Sequence, residues 1–94
     1  MKVEELKTKI KVTFPDECEI FVVEKAKEKL LKSLDNEKLI EIDLTKIKSI
    51  DTTFVQLILS YLKTLKNEEK KYNIKGISEK AIQVFELYGI NLND

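Results

Sequence analysis

Apolar and polar positions divide this chain into strands of period two and helices of period near 3.6. Lys7 to Phe14, K-T-K-I-K-V-T-F, sets Ile10, Val12 and Phe14 on one side of a strand, and the interleaved lysines suit a sheet edge. Pro15-Asp16-Glu17 turns the chain, and Cys18 to Phe21 follows as a short second strand. Val22, Val23, Ala26, Leu30, Leu31 and Leu34 recur at the spacing of an amphipathic helix, closed by Asp35-Asn36-Glu37. Leu39 to Leu44, L-I-E-I-D-L, is the strongest strand. In the link after it, Ile47 and Ile50 are expected to fold back onto the core.

From Thr52 the pattern turns helical again. Phe54, Val55, Leu57, Ile58, Leu59, Tyr61, Leu62 and Leu65 form an apolar arc wider than the ~100° of an ordinary surface helix. That width predicts burial on two sides, or one side reserved for a partner. Asn67 to Lys71 is a charged loop, and Tyr72 to Ile77 a third core strand ending at Gly76. Ser78 caps a last helix through Tyr88, and Gly89 stops it, with Ile90 and Leu92 tucked beneath. The predicted order is β-β-α-β-α-β-α. It describes one α/β domain over residues 1–94, with a small mixed sheet of about four strands and helices packed against it.

Composition narrows the function. The 94 residues carry 17 basic and 17 acidic side chains, and every basic residue is Lys. Without Arg, the usual reader of guanine edges and phosphates, and without a basic block, nucleic-acid binding is not expected. Abundant Lys and Glu fit a thermophile, and AT-rich codon usage explains a Lys-only basic set equally well. Cys18 stands alone, which precludes an internal disulfide or a cysteine zinc cluster, and its expected role is that of a small core hydrophobe. His is absent, so a nucleophile at Cys18, Thr52 or Thr53 lacks its customary base. No Gly-rich phosphate loop exists. The start, M-K-V-E-E-L-K, is too charged for a signal peptide, and no apolar run reaches the ~18 residues of a membrane span. A cytoplasmic, non-catalytic protein with no metal, no cofactor and no direct membrane insertion is expected. Tyr61, Tyr72 and Tyr88 are expected in or beside the core.

Asp51-Thr52-Thr53 stands where the central helix begins. A hydroxyl in a helix's first turn lies near unpaired N–H groups and the positive end of the helix dipole, where a phosphate is tolerated. The same three residues are also what simple N-capping selects. Asp43 and Asp51 both fall at the C-terminal edge of the predicted sheet, where open α/β folds place their sites. Two carboxylates there suit Mg2+, although bonding to loop N–H groups is the commoner reason for them.

The run from Leu39 to Leu65 resembles the centre of a STAS domain, the module of sulphate transporters and anti-sigma factor antagonists. Asp43-Leu44-Thr45 and Asp51-Thr52-Thr53 match its paired motifs, and Tyr72 to Ser78 with Leu87-Tyr88-Gly89-Ile90 match its end. The resemblance implies a bacterial regulatory binding module whose partner is a serine kinase anti-sigma factor. It places the phosphorylated hydroxyl on Thr52, with Thr53 second, and partner contacts on Asp43, Asp51, Thr52, Thr53, Phe54 and Gln56. Two positions depart from it: Phe54 replaces the Gly that follows the hydroxyl pair, and Phe21 stands where many antagonists carry an acidic residue. In that form the chain is also similar to the STAS subunit that binds the ATPase of the bacterial lipid-asymmetry ABC transporter. Small stand-alone STAS proteins of chemotaxis and two-component signalling share the form as well.

Overall fold

A computed structural model describes residues 1–92. The main sheet holds β1 (Lys2–Glu5), β2 (Lys9–Thr13), β4 (Leu39–Leu44) and β6 (Tyr72–Ile77), in the order β1-β2-β4-β6. A second, two-stranded sheet pairs β3 (Glu17–Cys18) with β5 (Ser49–Ile50). Three helices follow the strands they serve: α1 (Val23–Lys32), α2 (Thr52–Asn67) and α3 (Glu79–Leu87).

β2, β4 and β6 run parallel, joined by α1 and α2, and β1 lies antiparallel on β2. Because the parallel strands advance in one direction, right-handed crossovers put both helices on the same face. The strand pattern obeys this. Ile10, Val12, Ile40 and Ile42 are buried under the helices, while Lys9, Lys11 and Glu41 line the open face. There Lys9 Nζ meets Glu41 Oε2 at 3.0 Å, and that bond holds the Glu41 carboxyl below its ordinary pKa.

Four strands and an antiparallel edge agree with expectation, but the membership of the sheet does not. The strand around Ile10 and Val12 is interior, because β1 covers its outer side. Its alternating lysines report an open face, which interior strands of a two-layer fold also have. β1 has no period-two signature of its own, because only Val3 of its four residues is apolar. Cys18 to Phe21 is not one strand either. Glu17 and Cys18 pair with Ser49 and Ile50, after which Ile20–Val22 coils into a 3-10 turn closed by Val22 N–H on Glu19 O at 3.0 Å. The Tyr72 strand is a sheet edge.

The core is continuous. Phe14, Ile40, Ile42, Leu44, Ile47, Phe54, Ile58, Leu65 and Phe85 are all but inaccessible, and Ile50, Ile90 and Leu92 pack half-buried against them. α2 crosses this core with Phe54, Val55, Ile58, Tyr61, Leu62 and Leu65 buried, and Leu57 and Leu59 half-buried. The fully buried residues fill a single face, and the extra width of the arc comes from Leu57 and Leu59, half-buried on its two flanks. Leu31 of α1, by contrast, faces out.

Two glycines have distinct reasons. Ile42 faces Ile74 whereas Asp43 faces Gly76, which makes Lys75 the extra residue of a bulge. A Cβ on Gly76 would stand 2.7 Å from the Thr45 methyl, so only glycine lets the turn after β4 close. Gly89 adopts φ 71° beyond α3, which lets Ile90 N–H bond back to Phe85 O at 2.9 Å.

Candidate functional site

The start of α2 is built around one carboxylate. Asp51 Oδ1 accepts from Phe54 N–H at 3.0 Å and caps the helix, while Oδ2 accepts from Ile20 N–H at 2.8 Å. Its own N–H donates to Cys18 O at 3.1 Å. A single side chain therefore closes the helix and holds the 3-10 turn against it. Capping is thus done by Asp51, and the hydroxyls of the next two residues are left for other uses.

Thr52 and Thr53 are both exposed on the first turn. Thr52 Oγ1 lies 2.6 Å from Tyr88 Oη, a hydroxyl pair joining the first turn of α2 to the end of α3. Gln56, one turn on, is also exposed. Phe54 is not part of this surface. It is fully buried, with its ring edge-to-face on Phe14 at 6.2 Å and 78°, so the bulky replacement for the family glycine serves the core.

Asp43 lies at the end of β4, 7% exposed. Its Oδ1 accepts from Thr45 N–H at 2.8 Å and Thr45 Oγ1 at 2.5 Å, which fixes the turn closed by Gly76. Burial alone would raise its pKa. The Thr45 bonds and the nearby Lys75 and Lys46 outweigh that and hold it below the ordinary value. Both carboxylates are therefore spent on backbone N–H groups. Among the described residues no three Cys, Asp or Glu side chains are grouped to hold a metal ion.

Cys18 is fully buried, its thiol against Pro15 O at 3.4 Å, and burial pushes its pKa up to about 12. It is a packing group, as its isolation in the sequence suggested.

Around the exposed threonines stand apolar residues whose exposure their sequence context did not indicate. Ile20, Phe21 and Val22 are all exposed, Phe21 at 92%, and Leu87 at 84% adjoins Tyr88 at 48%. Tyr88 follows Ala81 and Phe85 at helical spacing, which reads as core. The helix ends at Leu87, however, and the ring turns out to Thr52.

A family model described as "Mlab, STAS domain" matches residues 19–92. The chain belongs to the STAS domain family. The mixed sheet with three helices is the STAS fold, and its members serve as regulatory, protein-binding modules that are generally not catalysts. No curated protein matches the chain significantly. Among the described residues, no helix is long and apolar enough to cross a membrane.

Proposed function

We propose that this STAS domain is a non-catalytic regulator that docks a protein partner through the N-terminal end of α2 and releases it when Thr52 is phosphorylated. The observation that carries the reading is the division of labour at that end: Asp51 performs the capping, so the exposed Thr52 hydroxyl has no structural duty within the helix. A phosphate there adds ~1.5–2 negative charges beside Asp51. The dipole and free N–H groups of the first turn tolerate it, but a docked partner would have to desolvate it next to a like charge. On this reading the protein acts as an anti-sigma factor antagonist, its partner a serine kinase anti-sigma factor. Phe21 and Phe54 favour a second reading, since they depart from the antagonist pattern and the matched family bears the name Mlab. There the partner is the ATPase of a lipid-transport ABC complex, and Thr52 is a contact without a switch.

The test is a pull-down with wild type, Thr52→Asp and Thr52→Ala, with the captured partner identified by mass spectrometry and Kd measured on the purified pair. Thr52→Asp is expected to weaken binding at least tenfold, about 1.4 kcal/mol, while Thr52→Ala binds and resists modification. Equal binding by Thr52→Asp overturns the switch, and capture of an ABC ATPase in place of a kinase selects the second reading.

A further inference from the structure

The surface around Thr52 has a composition unlike the rest of the molecule. Lys is the commonest charged residue of the chain, yet residues 12–24, 49–62 and 81–92 contain none. Three contacts bring these segments together at one end of the fold: Asp51 with Ile20, Ser49 Oγ with Glu19 Oε1 at 3.4 Å, and Thr52 with Tyr88. Lys11, Lys25, Lys48, Lys63 and Lys80 adjoin these segments in sequence without entering them, and Lys46 and Lys48 line a cleft with Pro15 and Asp16 at the border of this end. What this end carries instead is exposed apolar side chains, foremost Phe21, with Leu87 and the Tyr88 ring. Glu17, Glu19, Glu24 and Glu86 lie in the same segments, and none of them forms an ion pair among the described residues.

We infer that this end is a docking surface in which Phe21 inserts into an apolar pocket of a partner protein, a pocket bordered by Lys or Arg side chains that meet the four glutamates. An interface centre is poor in charged residues and rich in aromatic ones, with charged side chains kept to its rim, which is the place this inference gives the four glutamates. An aromatic ring that is almost wholly exposed is the kind of anchor that carries binding energy once its pocket excludes water. The unpaired acids decide the occupant. A second copy docked about a two-fold axis would set the same glutamates against one another. An anionic lipid surface or a nucleic acid would be repelled in the same way. A cationic protein pocket satisfies both the ring and its border. This inference rests on the partner-docking part of the proposed function and adds the anchor and the partner's chemistry.

The experiment places p-benzoylphenylalanine at position 21 of the full chain in its native host, with position 31, also exposed and apolar, as the control. After irradiation, the adduct is mapped by mass spectrometry. The expected product is a position-21 crosslink to one protein, on an apolar segment flanked by Lys or Arg, that position 31 does not give. Phe21→Ser is expected to weaken the purified complex at least tenfold, with binding falling steeply as salt rises, while Leu31→Ser leaves it unchanged. A crosslink to a second copy, to lipid or to nothing overturns the inference, as does a complex indifferent to Phe21→Ser. If Phe21→Ser weakens the complex but Thr52→Asp does not, the switch fails and the surface stands. The opposite result overturns this inference and leaves the Thr52 switch standing.

Discussion

The hydroxyls of Thr52 and Tyr88 lie 2.6 Å apart across 36 residues of sequence, so the group assigned the switch is held by the end of another helix. Esterifying Thr52 removes its proton and puts a bulky anion beside the Tyr88 hydroxyl, so the contact between the two hydroxyls is expected to rearrange.

Thr52→Glu is accordingly expected to shift the backbone amide resonances of Leu87 to Ile90 as well as those of the first turn of α2. Tyr88→Phe should abolish the remote part of that response. Because the hydrogen bond is exposed, its loss should cost no more than ~1 kcal/mol and lower Tm by only a few degrees. Shifts confined to residues 51–55 in Thr52→Glu would show that the two helices are not coupled through this pair.

Asp51 is predicted to matter more for stability than any other exposed or half-exposed polar residue at this end. Asp51→Ala removes the cap and the Ile20 anchor together, a loss of about 2–3 kcal/mol in urea unfolding. Asp51→Asn keeps a good cap, yet its amide nitrogen cannot accept from Ile20 N–H, so about half of the loss should remain. Hydrogen exchange at Ile20 should accelerate in both variants.

Ser33 and Tyr61 form a buried pair that joins the end of α1 to α2. Ser33 Oγ donates to Leu30 O at 2.5 Å, so the 2.6 Å contact with Tyr61 has the phenol as donor. Burial raises the phenol pKa, and the Ser33 bond partly offsets that. Ser33→Ala strands a buried hydroxyl and should cost about 1–3 kcal/mol. Adding Tyr61→Phe removes the stranded group as well, so the double variant should be distinctly more stable than the sum of the two single losses predicts. Strict additivity in a double-mutant cycle would show the bond contributes nothing.

Cys18 gives the protein an alkaline weakness. Its thiol keeps its proton up to about pH 12 when folded, against an ordinary value of 9.0, so the folded state holds more protons in between. The stabilising effect is complete below pH 9 and is lost as pH rises from 9 towards 12. Cys18→Ala should lower stability at pH 7 through the lost packing and also flatten the decline above pH 9. At pH 8 iodoacetamide should leave the folded thiol unmodified and alkylate it readily in urea.

The sequence by itself determined the three helices, the interior strand from Leu39 to Leu44 and the burial of Cys18 and Ile47. Each has a local signature in apolar spacing or in a cap such as Ser78, whose hydroxyl does accept from Ala81 N–H at 3.1 Å. It also marked Asp51 and Thr52 as neighbours at a helix start. Which of them caps was not legible, because Asp and Thr are both good caps and only the Oδ1 contact with Phe54 separates them. Tertiary structure alone decided the rest. β1 carries too few apolar residues to announce itself and exists because β2 offers an open side. Phe54 both opens the apolar arc of α2 and adjoins the surface motif, and only the arrival of Phe14 against its ring decides for the core. The exposure of Phe21 and the turn of Tyr88 towards Thr52 depend on where separate segments end in space. Periodicity reports which face of an element is apolar; it carries no information on what other part of the chain arrives to cover that face, or fails to.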